Sequence, residues 1–280
     1  MADHSQTVED FLRSSGACML VSVVAVKGST PREAGAFMLV SPLSTLRTIG
    51  GGQLEYMAID HARQMLKSGG RSDVANISLG PEIGQCCGGH VSLNFQLVDA
   101  EISRDLIETE AGEGRARPHV YIFGAGHVGN ALARAFALLP VRAVLVDNRQ
   151  SELDHAPQGV EKRLVAMSES VVREAPTGSV FLVLTHDHAL DFLIVSEALS
   201  RSDAAYAGMI GSKSKRGTFS HWFRRQGGNV NALERLVCPM GGSTVKDKRP
   251  EVIASLVAAE VITALFSMKV TAKPGVPAIA

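Results

Sequence analysis

An excess of either charge is what this 280-residue chain lacks: 28 Lys and Arg face 28 Asp and Glu. That balance excludes a general electrostatic grip on nucleic acid or on an anionic membrane, both of which select basic surfaces. Long apolar runs are missing too, since none reaches the roughly 20 residues a membrane-spanning helix needs. The opening MADHSQTVEDFLRSSG has no apolar core, so no signal peptide is expected and a cytoplasmic location is. There is no internal repeat and no low-complexity segment. Cysteine is scarce, with four residues in all. In a reducing compartment these are free thiols rather than structural disulfides. What remains is an ordinary globular balance, 45% apolar and 20% charged, with length enough for two domains.

Two of the four cysteines, Cys86 and Cys87, are neighbours in the stretch GPEIGQCCGGHV. Adjacent cysteines could pair only through a strained ring, and they lack the C-x2-C spacing of structural zinc. A thiol framed by glycines, beside open backbone N–H groups, suits a nucleophile, a sulfur carrier or a soft-metal ligand. Cys18 and Cys238 sit in apolar surroundings and read as small core residues.

The pattern along the chain changes near residue 100. The first hundred residues read as a smaller α+β domain. Thr7 caps a short helix, CMLVSVVAV and AFMLV are strands, and GGGQLEYMAIDHARQMLKSGG is a helix opened and closed by glycine. Two short strands flank the cysteine turn. The charged stretch 101–117 reads as a linker. From 118 to 268, strand and helix alternate, which predicts an α/β fold with a parallel sheet covered on both faces. Pro250 opens the final helix, and 269–280 reads as a loose tail.

The sharpest fold signal is VYIFGAGHVGNALA. Gly124, Gly126 and Gly129 form G-x-G-x-x-G between a predicted strand and a predicted helix, and Asp147 ends the next strand about 20 residues on. This is a Rossmann fingerprint, whose helix N-terminus offers N–H groups to an anion. His127 could reach a phosphate there, or face solvent. Two further strand ends point to the same sheet edge. THDHALD supplies His186, Asp187, His188 and Asp191, either as metal ligands or with Asp187 as a helix cap. MIGSKSKR offers Ser212 as a cap and Lys213 as a phosphate contact, with Lys215 and Arg216 nearby. In the N-terminal half, Arg32 in KGSTPREAG and Gly51 and Gly52 in IGGGQLE are candidate contacts for an anionic ligand. Glu55 stands behind them, and an Arg32–Glu55 ion pair is the plainer alternative.

Taken together, GSTPREAG, IGGGQLE, LGPEIGQCCGGHV, FGAGHVGNALA, THDHALD, YAGMIGSKSKR and GGSTVKDKRPEVIA resemble the XdhC/CoxI family over nearly the whole chain. One departure is Gln53, where CoxI-type members often carry Cys. The resemblance implies a chaperone of purine-catabolic xanthine dehydrogenase maturation rather than an enzyme. Such a protein binds molybdenum cofactor (molybdopterin) and protects it while a cysteine desulfurase installs its sulfido ligand. It then passes the cofactor to apo xanthine dehydrogenase. Molybdenum cofactor biosynthesis proteins and a second copy, in a homodimer, are implied partners. Cys86 and Cys87 would contact the molybdenum or carry sulfur. Two other readings compete: an NAD(P)-dependent oxidoreductase with an active-site thiol, and a thiol redox sensor.

Overall fold

The computed structural model describes residues 6–80 and 88–267. Cys86, Cys87 and the tail 269–280 lie outside the described residues. The chain forms two compact units, one running to Arg115 and the other beginning at Ala116.

The first unit is a five-stranded antiparallel sheet with helices on both faces. Its elements are α1 (Val8–Ser15), β1 (Met19–Lys27), β2 (Phe37–Val40), β3 (Thr45–Arg47), α2 (Gly52–Ser68), β4 (Ser72–Ser78), β5 (His90–Leu97) and α3 (Ala100–Ala116), with strand order β3-β2-β1-β5-β4. Thr7 caps α1 by accepting from the Asp10 N–H at 3.1 Å. Gly69 closes α2 in the left-handed conformation, where a Cβ would be strained. Along α2, Leu54, Ala58, Ala62 and Met65 recur every three to four residues and are buried. They cover the sheet face carrying Met19, Val21, Leu93 and Phe95.

Residues 101–117, expected as a linker, fold instead as α3. Its charged sequence conceals a sparse apolar stripe. Leu106, with Ile102 and Ile107, packs against Val8 and Phe11 of α1 and Leu39 of β2. Polar contacts then fix the helix in place. Glu110 accepts the Val8 N–H at 2.8 Å, and Arg47 pairs with Glu110 at 3.2 Å and Glu113 at 3.0 Å.

The second unit is the predicted α/β Rossmann fold. Its strands are β6 (His119–Phe123), β7 (Arg142–Asp147), β8 (Glu161–Leu164), β9 (Val180–Val183), β10 (Tyr206–Met209) and β11 (Leu236–Val237), in the order β11-β10-β9-β6-β7-β8. All pairs are parallel. The central strands are buried on both faces, which explains their unbroken apolar sequence. On one face lie α4 (His127–Ala137) and α9 (Pro250–Phe266), with Phe136 and Val257 in the core. On the other lie α6 (Ser168–Glu174), α7 (His188–Ser200) and α8 (Lys213–Arg225), contributing Val172, Ile194 and Phe219. A single-turn α5 (Gln150–Leu153) follows β7. Strand order reverses between β6 and β9. That switch point opens a crevice beyond the strands' carboxyl ends, where open α/β sheets bind ligands.

No helix among the described residues is long and apolar enough to cross a membrane.

Candidate functional site

In the first unit, three motifs distant in sequence meet at one place. β4 and β5 form an antiparallel hairpin, and the Leu79 N–H donates to the Gly89 carbonyl at 2.7 Å beyond the ladder. The segment joining these ends carries Cys86 and Cys87. Where that segment returns to β5, Gly88 pairs with Ser29 of the KGST loop. A Cβ at Gly89 would collide with the Ser29 carbonyl oxygen and lie 2.9 Å from that of Lys27. Only glycine lets these backbones approach so closely. The KGSTP loop in turn abuts the glycine loop before α2, since a Cβ at Gly50 would fall 2.7 Å from Pro31 Cβ and 3.3 Å from Arg32 Cγ.

That glycine loop is braced from inside. Gly50, Gly51 and Gly52 all have positive φ, at 130°, 74° and 65°. One oxygen of Glu55 accepts from the N–H groups of Ile49 and Gly51, each at 3.1 Å, and from the Thr48 hydroxyl. The Gly51 N–H is thus already engaged by its own chain, and Gly52 is the exposed residue of the pair. Arg32 is exposed beside them, and among the described residues no carboxylate is placed against it. Glu55 therefore braces the loop and does not pair with Arg32.

In the second unit, the motifs gather at the switch point. Gly124 (φ 112°) lies so close to the Leu184 carbonyl at the end of β9 that a side chain would clash. Gly129 lies closer still to the Gly124 carbonyl and lets α4 settle onto the turn. A Cβ at Gly126 would meet nothing within 4 Å, so the mouth of the turn is open. His127 is exposed in the first turn of α4. Behind the turn Asn130 donates its amide to the Ala125 carbonyl.

Asp147 is 4% exposed. It accepts the Ala125 N–H at 2.7 Å, the Arg149 N–H at 2.9 Å, and Arg149 Nε and Nη2 at 3.0 Å each. Burial pushes its carboxyl pKa up, but the Arg149 guanidinium and the two N–H groups outweigh this and hold it below the usual range.

A second buried acid ties β9 to β10. Asp191 is fully buried and accepts from the Thr185 N–H at 2.8 Å and the Thr185 hydroxyl at 2.7 Å. Its other oxygen takes Lys215 Nζ at 2.5 Å, and that ammonium also donates to the Ile210 carbonyl at 3.0 Å. Lys215 is therefore a clamp between two strand ends. Asp187 and Ser212 cap α7 and α8, accepting from the N–H groups of Ala189 and Lys215. Lys213 is left exposed at the start of α8. His186 and His188 are exposed, and His188 Nδ1 is 3.9 Å from Asp191. Among the described residues, no cluster of three or more His, Cys, Asp or Glu is placed to hold a metal ion.

Residues 120–261 match the family model of the XdhC Rossmann domain, and residues 11–76 match that of the XdhC and CoxI family. The chain belongs to the XdhC family. It is 26% identical over 256 residues to "Uncharacterized protein YqeB" of Escherichia coli (strain K12), covering 87% of this chain and 42% of YqeB. The chain thus spans less than half the length of that relative. The fold is similar to that of a crystal structure described as a xanthine dehydrogenase from Bacillus halodurans. The TM-score is 0.80 at 17% identity, over 96% of this chain and 98% of that one.

For this XdhC-family chain, sequence reasoning located the motif loops but missed the groups that hold them. Arg149 follows Asp147 by two residues, and that spacing was the available signal for a local ion pair. Asp191 and Lys215 are 24 residues apart on separate helices, and no short-range pattern joins them.

Proposed function

We propose that this chain is a maturation factor for xanthine dehydrogenase-type molybdenum hydroxylases. In this reading its cargo is molybdenum cofactor. It shelters the cofactor while a cysteine desulfurase supplies the terminal sulfido ligand, then delivers it to the apo enzyme. Family membership supports the link to xanthine dehydrogenase. The observation that carries the reading is the meeting of the KGSTP loop, the Gly50–Gly52 loop and Gly88–Gly89, which directly follow Cys86 and Cys87 in sequence.

The chemistry matches the cargo. Soft thiolates suit molybdenum or sulfur in transit, and a glycine loop with an exposed guanidinium suits a phosphate. Cys86 and Cys87 would face the metal or carry sulfur, while Arg32 and Gly52 would meet the anionic end. In the second unit Gly124, Gly126, His127, Ser212 and Lys213 would offer further anion contacts.

Anaerobic titration of the full chain with molybdenum cofactor tests this, followed by transfer of sulfurated cofactor to apo xanthine dehydrogenase. Saturable binding that weakens in the Cys86→Ala/Cys87→Ala variant is the expected result. Equal binding and transfer by that variant would remove the thiols from the mechanism. Absence of binding by the natural sequence would remove the chaperone reading itself.

A further inference from the structure

The second unit has the fold and the glycine signature of a dinucleotide site, and its sequence motif is intact. The residues nevertheless do not fit NAD(H), and the misfit lies at one carboxylate. In a Rossmann site the acid at the end of the second strand accepts hydrogen bonds from the adenosine ribose hydroxyls. An ionised carboxylate has about four lone-pair positions to offer.

All four at Asp147 are engaged from within the chain. Oδ2 takes the Ala125 N–H and Arg149 Nη2, and Oδ1 takes the Arg149 N–H and Nε. Three of the four donors belong to Arg149. Its position is secured twice more: it is the N-cap residue of α5, and its Nη1 lies 3.6 Å from Glu152. A ribose hydroxyl could enter only by displacing the guanidinium. That exchange trades a bidentate, charge-assisted contact for neutral hydrogen bonds and strips a buried carboxylate of its cation. The glycines are not the obstacle, because the turn is open at Gly126.

We propose that Arg149 closes Asp147 to ribose, so that the second unit does not take NAD(H), and that Arg149 is the residue deciding this specificity. The inference stands apart from the cargo proposed above. It also removes the contact that an NAD-dependent oxidoreductase would need.

The test is titration of the full chain with NADH, followed by calorimetry and by energy transfer from Trp222 to the nicotinamide. The unmodified protein is expected to show no saturable binding of NADH up to about 1 mM, the weak end of the affinity scale. Arg149→Ala and Arg149→Gln leave the Ala125 N–H and the backbone N–H at 149 in place but free two acceptor positions. They are expected to gain NADH affinity by at least about tenfold, the worth of one good hydrogen bond. Adding Asp147→Asn to either should abolish the gain. Saturable micromolar binding of NADH by the unmodified protein overturns the proposal. So does the absence of any gain in folded Arg149 variants. If neither variant folds, the titration of the unmodified protein decides alone.

Discussion

Replacing Lys215 by Met should destabilise the second unit by about 3–4 kcal/mol. Lys215 is 12% exposed at its side chain and Asp191 not at all, so solvent screens the pair little. Removing one partner of such a buried pair costs about 3–5 kcal/mol, because the remaining charge is left uncompensated. Asp191 keeps its two bonds from Thr185 on the other oxygen, which favours the lower part of that range. The lost bond to the Ile210 carbonyl adds about 1 kcal/mol. Methionine preserves the apolar stem, so packing contributes little to the change. The assay is urea unfolding followed by fluorescence. Trp222, the chain's single tryptophan, sits in α8 at 5.6 Å from the Phe192 ring and 6.0 Å from Phe219, so it reports on this unit alone. Asp191→Leu/Lys215→Met, which removes both charges, should recover a large part of the loss. A cost below about 1 kcal/mol with an unchanged m-value, the size expected of a surface ion pair, would refute the assignment of Lys215 as a structural clamp.

Thiol chemistry gives a second expectation. Burial pushes Cys18 up to about 11 and raises Cys238 as well, so neither should react with a thiol reagent at pH 8 in the native state. In Cys86→Ser/Cys87→Ser, labelling should therefore be near zero until denaturant exposes both. Rapid native labelling of that variant would contradict their burial. Gly89→Ala should cost about 1–3 kcal/mol by overpacking the loop end of the hairpin, because all three obstructing atoms belong to the backbone. Faster hydrogen exchange at the Leu79 N–H would report it, and unchanged exchange and stability would argue against the close approach. Asp147 has a depressed pKa when folded. Its stabilising contribution is complete above the ordinary carboxylate pKa of about 3.9 and is lost as pH falls through the folded value. Arg149→Ala should thus move the onset of acid unfolding, read by Trp222, to higher pH. An unmoved onset would mean that the ion pair contributes nothing.

Much of the architecture was legible because local chemistry and global fold agree. The caps at Thr7, Asp187 and Ser212, the glycine at 69 and the Pro250 helix start are each fixed within four residues of chain. The doubly buried strands of the second unit also declare themselves by composition. α3 did not, because three apolar residues and two glycines among charges resemble a linker until α1 and Arg47 are present to receive them. The site was legible as a set of glycine loops and illegible in its bracing. Glu55 reads as a helix residue, yet it turns back to hold the loop ahead of it. Asp147 reads as a ligand group, yet its ligand is Arg149.

The strand order of the second unit also fixes when that unit can form. β6 stands between β7 and β9, and β9 is not complete until Val183, 60 positions after Phe123 closes β6. A chain emerging from the ribosome carries β6, β7 and β8 first, with one long side of β6 unpaired and both faces greasy. The fold cannot close around its own middle until a further helix and strand have been made. During that interval the Gly124 turn also lacks Leu184, the residue against which it is seated. The ligand crevice is therefore among the last features of this unit to acquire its walls during synthesis.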